Sequence, residues 1–223
     1  MMRRQAAALL AALALAAAPA AVAQEAEKPA EAKPAGTTFH FGTSDARTTI
    51  AFESETSVEV IHGTCSKISG TALLDFDKGE GSTELKVPVE AMDTRMEERN
   101  KHLQSDSWLD AAKFPDIVFK AKTLKRAKTD EATKRETWAY EGELTIHGVT
   151  KALKGEAEIQ RVPEDLGKKL GRGDWVRVKT DFQVTIKDFD IVVPEVAAAK
   201  VAPTWDIRVV IFGTTQPPKK EKE

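Results

Sequence analysis

Residues 176–186 read VRVKTDFQVTI, with every even position apolar or Thr and every odd position polar. A period of two puts the even side chains on one face of an extended chain, so the segment is a half-buried β-strand. At about 3.3 Å per residue it runs on the order of 35 Å, twice the usual strand, and the sheet it belongs to is tall. The same alternation recurs in ELTIH at 143–147 and WDIRV at 205–209. Shorter β-rich runs occupy 48–52, 58–61, 71–76, 84–89, 117–124 and 156–162, and no 3.6-residue period is sustained. Turn residues separate these runs at Asp77-Lys78-Gly79, His147-Gly148 and Gly171-Arg172-Gly173. The pattern predicts an all-β protein of about eight or nine strands, an antiparallel barrel or sandwich.

One stretch breaks the alternation. Residues 94–109, TRMEERNKHLQSDSWL, hold good helix formers and neither Gly nor Pro, which predicts a short surface helix or a pair of turns at one end of the sheet.

The first residues have a different character. Arg3 and Arg4 precede an Ala/Leu run over 6–18, then Pro19 and the small-residue triplet Ala21-Val22-Ala23. Basic, apolar and small-residue parts in that order read as a secretory signal peptide over 1–23, cleaved after Ala23, with a periplasmic or secreted product. A membrane anchor is the alternative. The weakly apolar Ala content, Pro19 and the cleavage triplet speak against it, and no Cys follows the site to take a lipid, so no permanent membrane anchor is expected. Residues 24–36 (QEAEKPAEAKPAG) and 216–223 (QPPKKEKE) have no large apolar side chain to offset the entropy of ordering, and both are expected to be disordered. Residues 37–215 are left as one domain, long enough for a sizeable core.

Charge narrows the partners. The formal net charge is −2 and both signs are interspersed, so no basic stripe exists to neutralise successive phosphates and nucleic acid is not expected. Export would permit disulfides, but the chain has a single cysteine, Cys65. An intramolecular disulfide is impossible, and stability must come from packing.

Specific motifs then go further than periodicity. ERNKHLQS at 98–105 leads into WLDAAKFPDIVF at 108–119, GELTIHGVTK spans 142–151, and FQVTIKDFD spans 182–190. In this order and spacing they resemble the signature of the YceI family: Arg-x-x-His-Leu-x-Ser, aromatic-Leu, Lys-aromatic-Pro, then Gly-x-Leu-Thr-x-x-Gly-Val-Thr-Lys. The resemblance covers most of 37–213. It implies an extended lipocalin-like antiparallel β-barrel of about eight strands, exported, with an elongated cavity for a polyisoprenoid or isoprenoid-quinone-like lipid, and no catalysis. The stretch 55–65 departs from the family pattern, with Cys65 where an aromatic is common.

Strand parity lines the interior with Ile117, Phe119, Leu144, Ile146, Val178, Phe182, Val184, Ile186, Ile207 and Val209. A filled barrel and a hollow one share this pattern, so parity alone leaves a solid core open. If hollow, burial at about 0.8 kcal/mol per CH₂ gives roughly 8 kcal/mol for about ten carbons, near micromolar affinity without any catalytic group. Arg99 and His102 fall near a barrel end, where a cation could meet a phosphate or quinone oxygen; the alternative is that they tie the helix to neighbouring strands. His40, His62, His102 and His147 show no metal-pair spacing, and no cofactor is expected. Cys65 with His62 as base would be a nucleophile pair, but three residues apart on a strand they face opposite ways, and a buried hydrophobe is the plainer role. Glu97 and Glu98 read as solvated. An enzyme on the same barrel and a filled structural protein remain as other readings, and the oligomeric state is open, a dimer included.

Overall fold

The computed structural model describes residues 36–42 and 47–218. The signal peptide, all but Gly36 of the leader and residues 219–223 of the tail lie outside the described residues.

Among the described residues ten strands carry the alternation. They are β1 Thr37–Phe41, β2 Thr49–Glu55, β3 Val60–Cys65, β4 Ser69–Asp75, β5 Glu80–Pro88, β6 Asp116–Asp130, β7 Arg135–Ile146, β8 Val149–Arg161, β9 Trp175–Thr185 and β10 Thr204–Thr214. All pairings are antiparallel, and from β4 to β10 each strand pairs with the next in sequence. β10 then pairs with both β1 and β2, which lie end to end along it, while β4 pairs with β1 and β3 with β2. Each short couple makes one interrupted stave, so the sheet closes as an eight-stranded barrel.

Strands β6, β7 and β8 have 15, 12 and 13 residues, longer than the runs that mark them in the sequence. Register shifts between Lys120 and Thr123, and again between Arg126 and Lys128, flip the inward parity of β6. At its far end both faces are wet and alternation disappears. β7 and β8 join through His147 and Gly148 with φ of 51° and 75°, a two-residue hairpin of the type that needs positive φ at both positions. A Cβ at Gly148 would also stand 2.4 Å from the Phe114 ring.

The expected helix is α1, Glu97–Gln104, which buries Leu103. A second helix, α2 Glu164–Leu170, was not legible from periodicity because seven residues make only two turns. Its Glu164 and Asp165 lie in the first turn and Lys168 and Lys169 in the last, the arrangement the helix dipole favours.

Strand direction sorts the connections into two ends. The 56–59 turn, residues 89–115 with α1, the 147–148 turn and residues 186–203 gather at one end, called here the capped end. The 76–79 and 131–134 turns and α2 lie at the other. Two buried clusters match these ends. One includes Phe52, Val89, Leu103, Leu144, Ile146, Val184 and Phe189. The other is built on Phe39, Phe41, Leu74, Trp138, Tyr140, Val176 and Ile211.

Candidate functional site

The β9 strand shows how the interior is made. Val178, Thr180, Phe182 and Val184 face a central cavity, while Arg177, Asp181 and Gln183 face out and bond to Glu158, Arg208 and Asp206. The outer ring of polar contacts fixes the strand, and the period of two delivers the apolar side chains inward.

The cavity has a volume of about 180 Å³ and touches both buried clusters, from Phe41 and Leu74 near one end to Met92, Ile146 and Val184 near the other. It exceeds the roughly 150 Å³ apolar void that admits benzene. Among the described residues no charged side chain lines it; its polar members are Thr83, Tyr140, Thr180 and Cys65. Water gains little in such a space, and a hydrocarbon chain gains its full transfer free energy.

Of the residues assigned to the interior by parity, Ile117, Phe119, Leu144, Ile146, Val178, Phe182, Val184, Ile207 and Val209 line this cavity. Ile186 does not. It is buried but starts a 3-10 turn, Ile186–Phe189, which carries it out of β9 and under the cap. Arg99 and His102 lie on α1, near the barrel end as expected, but outside the cavity wall. Arg99 forms an ion pair with Glu59 that ties α1 to the β2–β3 turn. His102 is exposed and its carbonyl accepts from the Ser105 hydroxyl. His62 and Cys65 face opposite ways: His62 pairs with Glu53 at 2.8 Å outside, while the buried Cys65 thiol donates to the Lys67 carbonyl at 3.3 Å.

Several wall residues escape sequence parity. Phe41 and Phe52 sit on short strands, Met92 belongs to the segment after β5, and Tyr140 lies in RETWAYEGELTI, where Glu136 and Gly142 interrupt the apolar set. The even-numbered Trp138, Tyr140 and Leu144 were the available signal. Glu136 is inward and buried because Trp138 Nε1 donates to it at 2.9 Å and Arg126 approaches at 3.5 Å. Burial pushes the Tyr140 phenol up from its ordinary pKa, against a smaller opposing effect of its Thr180 contact, so the group stays protonated and a donor.

A second concavity lies on the outer face, lined by Glu53, His62, Asp181, Asp206 and Arg208. Its volume is larger, about 690 Å³, but it is open and polar: Glu53 pairs with His62 and Asp181 with Arg208, Asp206 accepts from Gln183, and Arg95 also lines it. The apolar interior is therefore the better-built site.

Closed antiparallel strands around an uncharged, hydrocarbon-walled cavity define the class: an eight-stranded barrel with a hollow apolar core. The YceI-like domain model matches residues 41–212, and the chain belongs to that family. Protein YceI of Salmonella arizonae and that of Salmonella newport are each 30% identical over 135 residues, covering 59% of this chain and 63% of those proteins. Among solved structures, Burkholderia cenocepacia BcnA superposes with a TM-score of 0.61 at 18% identity, over 77% of this chain and 99% of that one. A polyisoprenoid binding domain from Saccharophagus degradans, implicated in plant cell wall breakdown, gives 0.59 at 15% identity, over 80% and 98%. The Campylobacter jejuni YCEI protein gives 0.54 at 22%, over 72% and 85%. These structural likenesses share the barrel fold.

Proposed function

We propose that this chain binds a long-chain isoprenoid lipid inside the barrel, as a carrier or scavenger in the periplasm, without catalysing a reaction on it. The observation that carries the reading is the cavity wall, apolar from one buried cluster to the other and, among the described residues, free of charged side chains. A wall of this kind rewards length of hydrocarbon: about ten buried carbons supply roughly 8 kcal/mol. It supplies no acid, base and nucleophile in convergence, because its thiol and hydroxyls stand among hydrocarbon. Family membership supports the same reading, as does the fold shared with a domain described as polyisoprenoid-binding. The periplasmic part rests on the basic, apolar and small-residue order of residues 1–23.

The experiment is mass spectrometry of organic extracts from the protein purified out of a bacterial periplasmic fraction. An isoprenoid at near one equivalent is expected. Extracts free of lipid, together with failure of the purified protein to take up an isoprenoid from detergent, would reject the reading.

A further inference from the structure

Beside the cavity, one joint between staves is fastened only at its two ends. The ladder between β8 and β9 runs from Arg161 and Val176 only as far as Glu158 and Lys179. One step further the Glu156 carbonyl accepts from the Thr180 hydroxyl at 2.9 Å, a side chain standing where a backbone N–H would continue the ladder. Towards the capped end the strands are fastened again, where His147 Nδ1 meets the Phe189 carbonyl at 3.2 Å. Between these fastenings β8 residues 151–155 and β9 residues 181–185 have no backbone pairing, over roughly 15 Å of strand. Leu153 on one side of this seam and Phe182 and Val184 on the other line the cavity, so the seam lies directly beside it.

Lys151 stands in the seam. The β7–β8 register is unbroken and sets Lys151 directly opposite Leu144, on the face of β8 that also carries Leu153, Ala157 and Ile159. Those four neighbours line the cavity. The other face of the pair points outward, where Thr150 meets Thr145 and Lys154 pairs with Glu141. Val149 and Leu153, which flank Lys151 on the inward face, both pack against the capped-half cluster, yet Lys151 itself is exposed. Its exposure is therefore lateral, through the seam, and does not come from lying at the barrel rim. Among the described residues its ammonium has no ion-pair or hydrogen-bond partner.

Building on the lipid-binding reading above, we propose that the seam is a side mouth of the cavity and that Lys151 holds the anionic head of an amphiphile there, a phosphate or carboxylate whose hydrocarbon tail lies inside the barrel. The uncharged wall disfavours an anion within, since nothing on it would offset the desolvation. At the seam the head keeps its water and meets an ammonium that no described residue neutralises. The lysine stem lies along apolar wall while its charge stays in solvent, the usual compromise of a long cationic side chain.

The test titrates farnesol and farnesyl phosphate, which share one C15 tail, into the delipidated full chain by calorimetry. Lys151→Gln should weaken farnesyl phosphate binding about two- to fivefold, the range of an exposed ion pair, and leave farnesol affinity and the melting temperature unchanged. Lys151→Arg should keep the phosphate affinity. Lys179→Gln, which removes an equal charge from the outward face of β9, should alter neither probe. Reductive methylation read by mass spectrometry locates the head: farnesyl phosphate should protect Lys151, whereas farnesol and inorganic phosphate should not. Unchanged phosphate affinity in Lys151→Gln, an equal loss for farnesol, an equal loss in Lys179→Gln, or protection of Lys151 by inorganic phosphate alone would each overturn the role of Lys151 while leaving lipid binding intact. So would binding of farnesol with none of farnesyl phosphate. If neither probe binds the parent, the lipid-binding reading falls and this proposal with it.

Discussion

Around the half of the barrel that carries the 131–134 turn, every neighbouring pair of staves is joined by backbone pairing, whereas around the capped half two joints are not. β8 and β9 pair only through Glu158–Arg161 with Val176–Lys179, so β8 residues 149–157 have no ladder to β9. β3 pairs with β2 alone, and on its other side it has a single bridge from Thr64 to Asp93. In place of strand pairing, the capped half uses packing: Val89, Met92, Leu103 and Leu109 from the 89–115 segment, and Ile186, Phe189 and Ile191 after β9, all in one buried cluster. The other half, with the 131–134 turn and called here the plugged half, is held by aromatic rings as well. Phe76 meets Phe39 at 6.2 Å and Trp138 at 5.8 Å, both edge to face. The difference teaches where the barrel can give: loosening the capped half breaks side-chain contacts, while loosening the plugged half breaks hydrogen-bonded ladders as well.

The largest effect should come from the plugged half. Trp138 is fully buried and is a donor to the buried Glu136, so Trp138→Ala leaves a cavity and takes the donor from Glu136 Oε2, whose carboxylate keeps only the Arg126 contact at 3.5 Å. A loss of about 3–5 kcal/mol is expected, roughly 6–20 °C in melting temperature for a domain of this size. A loss under about 1 kcal/mol in urea unfolding would show that stability does not reside in that half.

Next comes the capped half of the cavity itself. Val184 points inward, and Val184→Trp should occupy lipid space and displace bound isoprenoid while the protein stays folded, because a hollow site accepts volume that a filled core would not. Gln183 points out towards Asp206, so Gln183→Trp should leave lipid content unchanged. Lipid content and melting curves of both variants decide the matter. Unchanged lipid in Val184→Trp, with about 1–3 kcal/mol of destabilisation, would mean a filled core.

A smaller effect is expected where α1 is fastened. The Arg99–Glu59 pair is partly shielded, with side chains 27% and 29% exposed, and Arg99→Ala should cost no more than about 1 kcal/mol. Hydrogen exchange should quicken in α1 and not in β7; quickening across the whole barrel would contradict the idea of a separately yielding cap.

The smallest concerns acid. Asp93 Oδ1 accepts from the Asn100 side chain and from the Arg95 N–H, each at 2.8 Å, and these bonds hold its carboxyl below the usual 3.8. A depressed folded pKa means the contribution is full above the unfolded value and fades as pH falls through the lower folded one. Below about pH 4, loosening of the segment before α1 should therefore have a component that Asp93→Asn, which keeps an acceptor but does not titrate, removes. Identical acid limbs for the two proteins in hydrogen exchange would remove Asp93 from the account.

How much of this was legible in the chain itself depends on how local each feature is. The inward and outward faces of β9 follow from residues 176–184 alone, because a pleated strand can place neighbours only on opposite sides. Its C-terminal limit was less visible: Ile186 keeps the parity, but the chain turns there into a 3-10 segment packed against β8 and the cap. The helix formers of 94–109 pointed to α1, and the turn residues His147-Gly148 to the turn at 147–148, both of which are short-range structures.

What only the tertiary structure decided was long-range. That β1 and β2 share one stave, and β3 and β4 another, depends on β10 returning to pair with residues more than 150 positions earlier in the chain. Parity says that Phe182 and Ile207 point inward; whether they meet or leave a cavity depends on barrel closure, which no local pattern encodes. The same holds for Lys151, which alternation puts on the inward face of β8 and which is exposed because the ladder to β9 stops at Glu158. Alternation determines faces through the geometry of one strand, whereas cavities and seams arise from the relative placement of several, and that is set when the barrel closes.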